Sequence, residues 1–152
     1  MGHRGNLGPA IVKRGRVIYN GSGLEAVYAK TRMKPLREFF VTLINPVLAP
    51  HRTYEAPYCS GLLPHLTATR DTILLHLLAD TGNKTKKLRI REEFLPVENV
   101  SVRIRVPEGR KVKDVSLLRT DSGVGIRTRL LGWVEVTVPR VLIHEAVRVD
   151  LA

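Results

Sequence analysis

Residues 133–138 read Trp133-Val134-Glu135-Val136-Thr137-Val138, and the reading of this stretch decides the fold. In an extended chain successive side chains point to opposite faces. Val134, Val136 and Val138 therefore share one face, and Trp133, Glu135 and Thr137 the other. A strand with one dry and one wet face belongs to an antiparallel sheet packed on one side. Val102-Arg103-Ile104-Arg105-Val106 repeats the pattern with arginines on the wet face. Ile73-Leu74-Leu75-His76-Leu77-Leu78 is apolar on both faces, the mark of a central strand covered on both sides.

Outward from these anchors, short β-rich runs alternate with turn residues over Leu63–Arg70, Thr72–Ala79, Lys87–Leu95, Val100–Val106 and Val112–Leu118. They continue over Gly125–Leu130 with Trp133–Val138, and over Glu145–Leu151. Thr69-Arg70-Asp71-Thr72, Pro107-Glu108-Gly109-Arg110 and Leu131-Gly132 supply polar or glycine-bearing reversals. The spacing predicts a mainly β domain, an antiparallel β-sandwich of about seven strands.

The first third of the chain has a different character. Ala10–Lys13 and Arg16–Tyr19 flank Arg14-Gly15, which predicts a hairpin. Leu36, Phe39, Phe40, Leu43 and Val47 recur at spacings of three and four, with Pro35 suited to a first helical turn. A helix is expected from about Lys34 to Asn45, ended by Asn45-Pro46, after a shorter helix or turn around Leu24 to Thr31. The stretch APHRTYEAPYCSGLLP, residues 49–64, has three prolines and one glycine and little regularity. The expected organisation is a hairpin plus helix over residues 1–50, a linker over 51–62 and the sandwich over 63–152.

At 152 residues the chain suits one domain or somewhat more. Its one cysteine, Cys59, has no internal partner for a disulfide, and no basic-then-apolar leader opens the sequence. An intracellular, cytoplasmic protein is expected. The longest apolar runs fall far short of the roughly 20 residues that span a bilayer, so no membrane partner is expected. The triplets at Asn20, Asn83 and Asn99 match a glycosylation acceptor, but short patterns of this kind arise easily by chance.

The net charge of +11 raises the question of nucleic acid. Residues 1–50 carry 8 basic and 2 acidic groups, 51–100 carry 7 and 6, and 101–152 carry 10 and 6, giving +6, +1 and +4. A spread excess that alternates with apolar residues describes the wet faces of sheets. Nonspecific nucleic-acid binding is kept only as the second alternative.

No residues are expected to be catalytic, to bind a cofactor or to ligate a metal. The histidines at 3, 51, 65, 76 and 144 lack the close spacing that presents two ligands on one face. His76, among leucines, reads as a hydrogen-bonded interior residue, and His144 as lying near the start of the last strand. Cys59 has no base near it in sequence and reads as a packing residue. Asn20-Gly21-Ser22-Gly23 follows a strand and precedes a helix, but lacks the lysine of a phosphate-binding loop and reads as a simple turn. Trp133, Tyr54 and Tyr58 are the aromatics available to a sugar ring. Of these Trp133, on the wet face, is the best placed for a sugar or for a packing contact. Leu36, Phe39, Phe40 and Leu43 form an apolar stripe with no obvious cover, a candidate interface.

Three segments carry a family resemblance: GPAIVKRGRVIYNGSGLEAVYAKTRMKPLREFFVTLINPVL (8–48), PVENVSVRIRVPEGRKVKDVSLLR (96–119) and VEVTVPRVLIHEAVRVDL (134–151). Their order resembles the C-terminal end of multidomain bacterial glycoside-hydrolase-like proteins, relatives of the β-galactosidase family with a trimerisation-like domain. The resemblance implies a catalytic (β/α)8 barrel, then an amidotransferase-like domain, then a small β-sandwich. It places residues 8–48 as the last hairpin and helix of the amidotransferase-like domain and Leu62 to Ala152 as the sandwich. The barrel that would hold the catalytic carboxylates has no counterpart in these residues, so no active-site residue carries over.

Glycoside hydrolysis needs two carboxyl groups about 5 to 9.5 Å apart. Adjacent Glu92 and Glu93 would point to opposite faces of a strand, and Glu25 and Glu38 are separated by a helix break. The resulting expectation is a non-catalytic structural or assembly module, a homo-oligomer or a partner of the missing upstream domains. A carbohydrate-binding module is the first alternative.

Overall fold

The computed structural model describes residues 10–59, 61–81, 94–120, 125–130 and 132–152. Most of the strand expected over Lys87–Leu95 lies outside the described residues. The chain divides into two compact units, Met1–Arg52 and Thr53–Ala152.

In the first unit, β1 (Ile11–Arg14) pairs with β2 (Val17–Asn20) in antiparallel register, Arg14 opposite Val17. Gly15 takes φ 58° in the reversal, a conformation a side chain would strain. Helix α1 (Leu24–Thr31) ends where Arg32 turns left-handed at φ 54° and its N–H donates to the Tyr28 carbonyl at 2.8 Å. Helix α2 runs from Lys34 to Leu48 with Pro35 in its first turn. It passes through Pro46, where the sequence predicted its end. A proline lacks the N–H that would reach back one turn, but so close to the C-terminus that deletes a single bond. The Ala49 N–H still donates to the Asn45 carbonyl, and a 3-10 turn over Ala49–His51 follows. No residue of α1 or α2 is buried.

The second unit is a β-sandwich. Its strands are β3 (Tyr54–Glu55), β4 (Leu62–Ala68), β5 (Thr72–Ala79), β6 (Val97–Arg105), β7 (Val112–Leu117), β8 (Gly125–Leu130), β9 (Trp133–Val141) and β10 (His144–Leu151). One sheet has the order β4-β5-β10-β7 and the other β3-β6-β9-β8, every pair antiparallel. Strand β3 falls in the stretch read as a linker and sets Tyr54 opposite Ile104 at the edge of the second sheet.

Period-two patterning makes the core. Ile73, Leu75 and Leu77 of β5 and Val147 and Val149 of β10 form a single cluster with Val100, Val102 and Ile104 of β6 and Val134, Val136 and Val138 of β9. Most of these side chains are fully excluded from solvent. At about 1.5 to 3 kcal/mol for each large apolar side chain buried, this face supplies most of the drive for the unit to close. Tyr54 adds a polar tie, its hydroxyl donating to the Pro64 carbonyl at 3.3 Å. Gly61, at φ 90°, lies so near the Asp80 carbonyl oxygen that a Cβ would sit 2.7 Å from it, which only glycine tolerates.

Strand β5 is central, as its sequence predicts, between β4 and β10, but it is not covered on both sides as expected. Its two faces differ: Ile73, Leu75, Leu77 and Ala79 are buried, whereas Leu74 and His76 are half-buried and Leu78 is 43% exposed.

Candidate functional site

The outer face of the β3-β6-β9-β8 sheet carries Trp133. Register sets Arg105 opposite Trp133 and Arg103 opposite Glu135 and Glu55. The Arg103 and Arg105 guanidinium carbons lie 5.4 and 5.9 Å from the centre of the indole, within cation–π range. Arg103 also donates to Glu55 at 2.9 Å. The half-buried ring is thus held within a charged surface network, and it also lines a cavity of about 180 Å3 with Arg110 and Lys111. Arginines that alternate with valine and isoleucine stand on this wet face, as the sequence predicts.

One end of the sandwich opens into a cleft of about 270 Å3, lined by Arg119, Thr120, Arg140, Leu142, Ile143, His144 and Glu145. Glu145 is 1% exposed and occupies an inward position of β10, in line with Val147, Val149 and Leu151. Its carboxylate accepts from the Arg119 N–H at 3.0 Å, the Thr120 hydroxyl at 2.6 Å and the Ala146 N–H at 2.9 Å. A buried carboxylate is costly unless its lone pairs are met. Here these bonds fasten the segment after β7 to the start of β10.

The outer face of the other sheet gathers three histidines that are far apart in sequence. His65 of β4 stands directly opposite His76 of β5, and His144 of β10 sits one rung away, opposite Leu78. His76 Nδ1 and His144 Nε2 are 3.1 Å apart, with the rings stacked at 17° and 5.4 Å. The His65 and His76 ring centres are 6.5 Å apart. His76 is therefore hydrogen-bonded, as its sequence context predicts, but on the outer face and not in the interior. Among the described residues, no three His, Cys, Asp or Glu side chains are placed close enough to hold a metal ion as they stand.

In the first unit, Leu36, Phe39, Phe40 and Leu43 are half-buried on α2. Phe40 meets Phe39 and Tyr28 edge-on at 5.3 and 5.9 Å. Val41, Ile44 and Leu48 extend the apolar surface at 52, 42 and 51% exposure, and with Tyr28 and Phe40 they line a groove of about 170 Å3. The turn at Asn20-Gly21-Ser22-Gly23 is closed by its own side chains. Asn20 Oδ1 accepts from the Ser22 N–H at 3.1 Å and from its hydroxyl at 2.7 Å. Cys59 is partly buried against the sandwich core. No helix among the described residues is long and apolar enough to cross a membrane.

No protein-family model matches the chain, and no curated protein matches it significantly. Among solved structures it is similar to α-L-fucosidase isoenzyme 2 from Paenibacillus thiaminolyticus, with a TM-score of 0.80 and 23% sequence identity over 95% of this chain. That likeness is one of fold. The chain spans about a fifth of the fucosidase, 22% of its length.

Proposed function

We propose that the chain is a non-catalytic structural or assembly module of a glycosidase-like protein. The observation that carries this reading is the fold match: nearly the whole of this chain corresponds to 22% of a much longer glycoside hydrolase. The unburied apolar helix α2 gives the module something to assemble with, either upstream domains or a second copy of the chain. Trp133, held among arginines, serves packing in this reading.

The test is an assay of the purified chain against a panel of aryl glycosides, aryl α-L-fucosides included. No turnover that depends on a carboxylate of this chain is expected. Turnover abolished by Glu145→Gln, or by changing any other single acid, would replace the assembly reading with an enzymatic one.

A further inference from the structure

We propose that His76 and His144, with His65 beside them, form a binding site for a divalent transition-metal ion on the outer face of the β4-β5-β10-β7 sheet. Three observations carry it. First, His76 Nδ1 and His144 Nε2 approach to 3.1 Å. Two imidazole nitrogens on one tetrahedral ion, each about 2.0 to 2.1 Å from it, stand about 3.3 to 3.4 Å apart. Only a few tenths of an ångström separate the observed pair from that spacing.

Second, one nitrogen of the pair must accept the hydrogen bond. A lone pair is thus already directed into the space between the rings, and a change of tautomer that moves the donor's proton to its other ring nitrogen would present a second. Third, His65 is exposed and directly across the strand pair from His76. Rotation about its side-chain bonds can bring it up as a third ligand, with water completing the shell. The backbone holding all three is fixed by paired strands, so little ordering is needed on binding.

Imidazole donors suit Zn2+, Ni2+ and Cu2+ over Mg2+ or Ca2+, and the Irving–Williams order places Cu2+ tightest. Arg119 and Arg140 line the cleft that His144 shares, with Glu145 beside them, and the positive charge of the two arginines opposes a cation there. Their repulsion is screened by salt, so binding should not weaken as ionic strength rises.

The experiment is calorimetric titration of the full chain with Zn2+, paired with electron paramagnetic resonance of the Cu2+ complex. One ion per chain is expected, with two or three nitrogens coupled to the copper. Changes one shell out cost about 10 to 100-fold at built metal sites, so His76→Ala and His144→Ala should each weaken binding by at least about tenfold. His65→Ala should weaken it less, and His51→Ala, in the other unit, not at all. Circular dichroism checks that each variant folds. His144 is the first residue of its strand, so its variant keeps the test intact if the His76 change unfolds the sheet. Absence of saturable binding up to about 1 mM Zn2+, or affinity unchanged in His144→Ala, would overturn the proposal.

Discussion

Strand β9 and helix α2 are both rich in large apolar residues, yet β9 buries Val134, Val136, Val138 and Val141 at 1% exposure or less while α2 buries nothing. The difference lies in how each pattern meets its surroundings. Period-two alternation puts Val134, Val136 and Val138 of β9 on one face, and the core formed with the second sheet buries them. On α2, at 3.6 residues per turn, Leu36, Phe40, Leu43 and Val47 form one stripe and Val41, Ile44 and Leu48 a second beside it. A hairpin and one short helix cannot close over so broad an arc. Among the described residues the sandwich buries its own apolar face, whereas α2 leaves its apolar arc unburied, the feature on which the proposed assembly role rests.

The largest effect should separate the two units. Leu75→Ala removes a side chain with 0% exposure and is expected to cost about 2 to 5 kcal/mol of unfolding free energy by denaturant titration. The same change at Leu48, 51% exposed, should stay within about 0.5 kcal/mol. Equal costs would erase the contrast between a closed core and an open helix.

Next comes Glu145, the polar exception inside the closed unit. Glu145→Ala leaves the Thr120 hydroxyl and the Arg119 N–H without their acceptor, and a loss of about 1 to 3 kcal/mol is expected. Glu145→Gln, which keeps one acceptor oxygen, should lie between the variant and the parent in thermal melts. An alanine variant as stable as the parent would mean that these bonds hold nothing in place.

The smallest effect is electrostatic. The Arg148 guanidinium, hydrogen-bonded to Asp150 at 3.0 Å, holds that carboxyl below its ordinary value of 3.8, with the Thr72 hydroxyl assisting and partial desolvation opposing. A carboxyl whose pKa is depressed by folding stabilises the native state above its unfolded pKa, and that contribution fades as pH falls through the folded value. Asp150→Asn should therefore narrow the gap to the parent below about pH 4, and leave a small deficit near neutrality. A deficit that persists undiminished into acid would assign the effect to packing.

The sandwich was legible because its signal is local. Alternation in Trp133–Val138 and Val102–Val106 needs only neighbours in sequence, and the expected strand over Thr72–Ala79 matches the observed one in full. The histidine row was not legible, since it depends on register between β4, β5 and β10, which no sequence spacing encodes. Glu145 offered one clue, an acid at an inward position among apolar residues, but two of its three donors come from a segment 25 or 26 residues away. Helix α2 runs three residues past the end that Asn45-Pro46 predicts, because a proline in a last turn removes only one bond.

Sedimentation equilibrium tests most directly the proposal that a partner covers the apolar face of α2. The full chain is compared with a Phe39→Ser, Leu43→Ser variant across a range of concentrations. The account predicts reversible association of the parent. It predicts at least about tenfold weaker association of the variant, since each large apolar contact is worth about 1.5 to 3 kcal/mol, with the melting of the sandwich unchanged. A parent that remains strictly monomeric, and whose first 50 residues can be removed without loss of sandwich stability, would contradict it.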